Sequence, residues 1–237
     1  MIPRPANPIV AALDVSDLPR AEELAEALGP HVGMLKVGVE LFWAEGPEAV
    51  RRIARHAPVF VDAKLHDIPN TVERAAVNIA RLGVRMLNVH ALGGEEMMRA
   101  ARRGADRGAA AAGVPAPLVI AVTVLSSQSG EGLASPASLA FEAKESGLDG
   151  VVVSGDDVRD VRAVCGDGFC LVVPGIRPEG GNGHDQIRVL TPGAAIEKGA
   201  DFLVIGRPIT DAGDPVGVVR GILRDVSQRT TREPRPT

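Results

Sequence analysis

Aromatic residues are scarce in this chain: five Phe, one Trp and no Tyr make up 3% of its 237 residues. Proteins that hold single-stranded nucleic acid use such rings as stacking platforms. The formal net charge of −4 also denies the chain the basic footprint of a nucleic-acid binder. Neither composition nor charge therefore points to a nucleic-acid partner. Cysteine is almost missing as well. Cys165 and Cys170 form no CxxC pair, which suits a reducing compartment. The longest uncharged apolar stretch, residues 114–125, falls short of the about 20 residues that a membrane-spanning helix needs. The opening MIPRPANPIV carries two prolines before its apolar run and lacks a signal-peptide core. These absences lead us to expect a soluble, cytoplasmic protein with no membrane partner.

With 45% hydrophobic residues, the chain can bury one large core or two small ones. No low-complexity linker divides it. Instead, short apolar runs alternate with longer amphipathic stretches. The runs are PIVAALD (8–14), VGMLKVG (32–38), PVFVDAK (58–64), VRMLNVH (84–90), PLVIAVTVL (117–125), DGVVVS (149–154), FCLVVPG (169–175) and FLVIG (202–206). Their near-continuous apolar character is that of parallel strands covered on both faces. The stretches between them, such as LPRAEELAEALG and GPEAVRRIARHA, have helical spacing with Pro or Gly at entry. Eight such units at about 30 residues each match the size of a strand–helix unit. An open doubly wound sheet would carry a Gly-rich fingerprint after its first strand, whereas this chain reads LDVSD there. The expected fold is a (β/α)8 TIM barrel forming one domain over 1–237, with frayed ends at 1–7 and 228–237. The Ala-rich segment 100–112 reads as an outer helix.

In a barrel, chemistry belongs at the C-terminal ends of the strands. Asp14, Lys36, Asp62, Lys64, His90, Ser126, Ser127, Ser154, Arg177, Gly206 and Arg207 all fall near, at or just past the ends of the apolar runs. Charge inside an apolar strand is costly unless paired or solvated. The densest cluster is FVDAKLHDIPNT (60–71). Strand alternation would send Asp62 and Lys64 to one face, with Phe60 deeper on it. Pro69 and Asn70 can then open a helix. Two readings stay open here: a buried Asp–Lys ion pair with a helix cap, or an acid–base array of Lys36, Asp62, Lys64 and Asp67 that keeps a proton-delivering lysine charged.

A second cluster follows the last two runs. Gly175 and Arg177 precede a loop with Gly180, Gly181 and Gly183, and Gly206 and Arg207 end the final run. Such a loop is either an ordinary turn or, at this place in a barrel, a phosphate site with residues 178–184 as its lid. His31, His56, His66, His90 and His184 lack HExxH or comparable spacing, so we expect no zinc site. His90 reads as a ligand-facing or, preferably, a barrel-core histidine. Met97 and Met98 read as helix packing, and Cys170 as a buried, inert thiol.

Read together, these segments resemble the orotidine 5′-phosphate decarboxylase family over roughly residues 8–225. The resemblance is carried by ALD (12–14), LKVG (35–38), DAKLHDIPNT (62–71), NVHA (88–91), VTVLSS (122–127), PGIR (174–177), DQIRVLTP (185–192) and VIGRPIT (204–210). DxK alone would be shared with related phosphate-binding barrels; DxKxxDIPNT with PGIR and IGRP is far more specific. The chain departs from the family in reading VTVLSS where bacterial relatives often have VTVLTS, and in the Gly-rich PEGGNGHDQ.

The resemblance implies decarboxylation of orotidine 5′-monophosphate to UMP, without cofactor or metal. It makes Lys64 the proton donor to C6, places Asp62 by the substrate carboxylate, and completes the array with Lys36 and Asp67. Asp14 and Lys36 would hold the ribose hydroxyls, and Ser126 and Ser127 would face the pyrimidine edge. Gln186 would bridge base and phosphate, which Arg177, Gly206 and Arg207 would hold. The DIPNT residues Ile68, Pro69, Asn70 and Thr71 belong to the binding segment. Asp67 and Thr71 would reach a partner's site, which implies a homodimer. The enzymatic alternative is a Mg²⁺-dependent sugar-phosphate decarboxylase or aldolase on a related barrel. Such relatives carry an acid where this chain has Lys36.

Overall fold

The computed structural model describes residues 5–124, 134–178 and 190–230. Eight parallel strands close on themselves in sequence order. They are β1 (Ile9–Ala12), β2 (Met34–Gly38), β3 (Val59–Leu65), β4 (Met86–His90), β5 (Leu118–Val122), β6 (Gly150–Val152), β7 (Cys170–Pro174) and β8 (Phe202–Ile205). The helices are α1 (Leu18–Leu28), α2 (Val39–Glu45), α3 (Pro47–Ile53), α4 (Pro69–Ala80), α5 (Gly94–Ala112), α6 (Pro136–Glu145), α7 (Val158–Cys165), α8 (Pro192–Lys198), α9 (Arg207–Thr210) and α10 (Pro215–Thr230). This is the (β/α)8 barrel that the eight runs anticipate. Among the described residues, no helix is long and apolar enough to cross a membrane.

Strand alternation builds two cores from one sheet. Odd-numbered positions such as Ile9, Leu35, Val61, Leu87, Val119 and Leu171 pack outward against the helices. Val10, Met34, Phe60, Met86, Ile120, Val172 and Phe202 fill the barrel interior. Burying a side chain the size of Phe60 contributes about 2–3 kcal/mol. The strands are shorter than the apolar runs. β6 stops at Val152, yet Val153 is still buried, and its N–H still donates to the Val172 carbonyl of β7.

The barrel's lower rim, opposite the site, is tied by two matching ion pairs. Asp149, just before β6, accepts the Val119 N–H and pairs with Arg102 of α5. Asp201, just before β8, accepts the Leu171 N–H and pairs with Arg162 of α7. At the chain's ends, the Asn7 amide donates to the His31 carbonyl, and α10 runs through Thr230.

Candidate active site

One step beyond the interior apolar layer, the alternation delivers a second layer of side chains. Lys36 follows Met34, Asp62 follows Phe60 and Asn88 follows Met86, all on the same parity. Across the barrel, the corresponding positions are Val122, Val152, Pro174 and Val204. Together they line a cavity of about 220 Å³ at the C-terminal end, polar on the β2–β4 side and apolar on the β5–β8 side.

The polar side is a continuous charge relay. Lys36 Nζ lies 2.8 Å from Asp14 Oδ1 and 3.1 Å from Asp62 Oδ2. Lys64 Nζ lies 2.6 Å from Asp62 Oδ1. Exposure grades along it: the side chains of Lys36 and Asp62 are 7% and 12% accessible, against 34% for Lys64 and 52% for Asp14. The relay therefore runs from the barrel interior to its mouth. Gly38 leaves room for it, since a Cβ there would sit 2.7 Å from Asp14 Oδ1 and 2.9 Å from Lys36 Nζ.

Burial works against both inner charges, and the partners outweigh it. Burial disfavours the Lys36 ammonium, yet the Asp62 and Asp14 carboxylates hold its pKa above the ordinary lysine value. Burial likewise disfavours the Asp62 carboxylate, but Lys36 and Lys64, with hydrogen bonds from Lys64 and Asn88, hold its pKa below the ordinary carboxylate value.

Asp62 and Lys64 meet, but not by simple alternation. The β3–β4 register jumps from Val61 opposite Leu87 to Leu65 opposite Val89, and Lys64 has φ 49°. It is the one non-glycine residue with positive φ among those described. A bulge, rather than strand parity, aims the lysine at its carboxylate. Asn88 fills the gap: its Oδ1 accepts the Lys64 N–H at 2.7 Å, and its Nδ2 donates to Asp62 Oδ1 at 2.7 Å. Sequence reasoning missed Asn88 as a site residue. Its parity with Lys36 and Asp62, as a polar residue in an apolar run, was the signal.

A single chain brings together only part of the expected array. Within one chain, Asp14 joins Lys36, Asp62 and Lys64, while Asp67 does not. Asp67 lies exposed beyond β3, where its Oδ1 accepts the Ile68 N–H at 2.6 Å. Ile68, Asn70 and Thr71 are also exposed, and Pro69 is half-buried at the start of α4. Nor is His90 a core histidine. It is half-buried at the end of β4, its ring centroid 5.4 Å from that of His66. Burial, then the neighbouring His66 and Lys64, lower its pKa.

Met97 and Met98 are fully buried in α5, and burial pushes the Cys170 thiol far up. Ser154 and Gly175 border the cavity. Arg177 is half-buried and Arg207 exposed, just past β7 and β8, which pair side by side. Ser126, Ser127, Gln186 and residues 179–184 of the expected lid lie outside the described residues.

Residues 7–222 match the family model described as "Orotidine 5'-phosphate decarboxylase / HUMPS family". The chain belongs to that family. Among its relatives is the orotidine 5′-phosphate decarboxylase of Moorella thermoacetica, 49% identical over 92% of this chain and 91% of that protein. The enzyme of the same name from Anaeromyxobacter dehalogenans is 50% identical over 92% of this chain and 98% of its own. The crystal structure of orotidine 5′-phosphate decarboxylase from Lactobacillus acidophilus superimposes with a TM-score of 0.80. It is 36% identical and covers 93% of this chain and 99% of that one. The relay and the cavity thus lie inside the segment that defines the family.

Proposed function

We propose that this protein is an orotidine 5′-monophosphate decarboxylase, a carboxy-lyase that forms UMP and CO2 for pyrimidine biosynthesis without metal or organic cofactor. The observation that carries this reading is Lys64, whose ammonium stands 2.6 Å from Asp62 on the polar side of a cavity whose other side is apolar. The relatives' names supply the substrate.

The chemistry follows from that placement. The pyrimidine ring lies against the valine wall with its C6 carboxylate toward Asp62 and Lys64. The bond from C6 to the carboxylate breaks, CO2 leaves, and the electron pair stays on C6 in the ring plane, where it is poorly delocalised. The Lys64 ammonium attracts that developing charge and transfers a proton to C6, giving UMP; neutral Lys64 then regains a proton from water. Fixed charge placed where anionic character develops is the strongest form of electrostatic catalysis, and proton delivery comes from the same group. Repulsion between Asp62 and the substrate carboxylate is a smaller contribution.

The remaining assignments follow the family pattern. Asp14 and Lys36 hold the ribose hydroxyls. Ser126, Ser127 and Gln186 contact the base, with Gln186 bridging to the phosphate. Arg177, Gly206 and Arg207, which leave neighbouring strands, hold the phosphate itself. Lid closure over residues 178–184 lets remote phosphate binding assist the chemical step. The protein acts as a homodimer in which Asp67 and Thr71 complete the partner's site. Their exposure supports this, as do Val39, Trp43, Ile68 and Leu92, which stand exposed just after β2, β3 and β4.

The Mg²⁺-dependent alternative meets the Lys36 ammonium between the Asp14 and Asp62 carboxylates, where it would repel a divalent cation. CO2 release from orotidine 5′-monophosphate by EDTA-treated protein decides between them. Activity persists if the decarboxylase works without metal; activity lost to EDTA and restored by Mg²⁺ overturns that reading. In Lys64→Ala, UMP still binds by calorimetry while kcat falls by about 1,000-fold or more. Substantial residual turnover would remove Lys64 from its role.

A further inference from the structure

We propose that Asn88 is a positioning residue that sets the Lys64 ammonium against Asp62; this rests on the decarboxylase reading. Lys64 needs such a device because a side chain with a Cβ is disfavoured at positive φ, and Lys64 sits at φ 49°. The sheet cannot supply it. On the β4 side, between the Val61–Leu87 and Leu65–Val89 pairings, the segment Asp62–Lys64 has no regular ladder, and on the β2 side the ladder ends at Gly38–Asp62, before Lys64. One carboxamide takes the ladder's place. Its oxygen accepts the Lys64 N–H at 2.7 Å, and its NH2 group donates at 2.7 Å to Asp62 Oδ1, the same oxygen that the Lys64 ammonium meets at 2.6 Å. The backbone and the head group of Lys64 are thus tied to a single side chain, directly at one end and through Asp62 at the other.

Asn88 is fully buried between Leu87 and Val89, whose own side chains pack outward. The bond to Asp62 is buried and the bond from the Lys64 N–H is part-buried, which strengthens both over their value in water. The residue type is restrictive. Aspartate would keep the acceptor and set a second carboxylate against Asp62; alanine would leave the Lys64 N–H and an Asp62 lone pair without partners.

The test compares the wild-type protein with Asn88→Ala and Asn88→Asp. In Asn88→Ala, kcat for CO2 release falls about 100-fold, as expected for an ammonium displaced by about 1 Å. UMP, held mainly by groups elsewhere, binds within about threefold of wild type. The acid limb of the kcat–pH profile moves to higher pH in both variants, because Asp62 loses a donor that favours its charge. The charged groups facing Asp62 are otherwise unchanged: Lys36 from β2 with Asp14 behind it, Lys64 from β3, and His90 at the end of β4.

A folded Asn88→Ala protein with kcat within about twofold of wild type overturns the proposal. So does a parallel loss of kcat and UMP affinity with an unmoved acid limb, which is the mark of a merely structural role. Hydrogen exchange on the wild-type chain needs no variant: the Lys64 amide exchanges as slowly as the ladder amides of β3 and β4, and fast exchange there overturns the assignment. A wild-type chain that binds UMP but releases no CO2 overturns the decarboxylase reading alone, and the Lys64 amide still decides the positioning.

Discussion

Asp62 receives Lys36, Lys64 and Asn88 on its two carboxylate oxygens, so its charge is tied to the folded state. Its pKa is lowered on folding. The stability it contributes is therefore complete above the ordinary carboxylate value of 3.8 and lost as pH falls through the lowered value. Lys36 has the opposite sign: its pKa is raised, so its contribution is complete below the ordinary lysine value of 10.5 and is lost only at still higher pH. Between these limits, the relay is a pH-independent part of the fold. Asp62→Asn leaves the inner lysines short of a counter-charge and lowers stability by about 3 kcal/mol at neutral pH. In urea unfolding, the gap between wild type and variant stays constant across neutral pH and narrows below 3.8. A gap that widens on acidification would contradict the assignment.

Among the elements, the α4–α5 pair shows how closely the outer ring is set. A Cβ on Gly104 of α5 would lie 2.3 Å from the Glu73 carbonyl oxygen of α4, a backbone atom that cannot move alone. Glu73 also holds Arg103 and Arg107 of α5. α4 begins at Pro69, directly after the segment that carries Asp67, so this contact fixes the helix whose first turn bears Asn70 and Thr71. Gly104→Ala forces the helices apart and lowers stability by about 2 kcal/mol, or about 5 °C in Tm. An unchanged melting curve would mean that the helices separate at no cost.

For the whole molecule, the question is whether one barrel makes one complete site. The relay and cavity belong to a single chain, while Asp67 and Thr71 face outward from it. Under the homodimer reading, Lys64→Ala and Asp67→Ala inactivate different halves of a shared site. A refolded equal mixture of the two then contains mixed dimers with one intact site each. It recovers about a quarter of wild-type activity, although neither parent is active alone. No recovery in mixed dimers verified by mass spectrometry would assign Asp67 to its own chain's site.

The amino-acid order by itself determined the barrel, because eight near-continuous apolar runs spaced by amphipathic stretches leave few other ways to cover both faces of a parallel sheet. It also singled out Lys36, Asp62, Lys64, Arg177 and Arg207, since charge within an apolar run needs a reason, although Lys36 and Asp62 sit inside β2 and β3 rather than at their ends. What it could not decide was how those residues meet. Asp14 lies past the end of β1 and reaches Lys36 because the β1–β2 register sets Ala12 beside Lys36. Asp67 follows Lys64 by three residues yet lies exposed, accepting the Ile68 N–H instead of joining the relay. Lys64 itself reaches Asp62 through a bulge and Asn88, whereas strand parity would have predicted the meeting for the wrong reason. Periodicity describes a residue's face within its own element. Contacts between strands depend on register, shear and the local bulge, and these emerge only when eight strands settle their hydrogen bonds together.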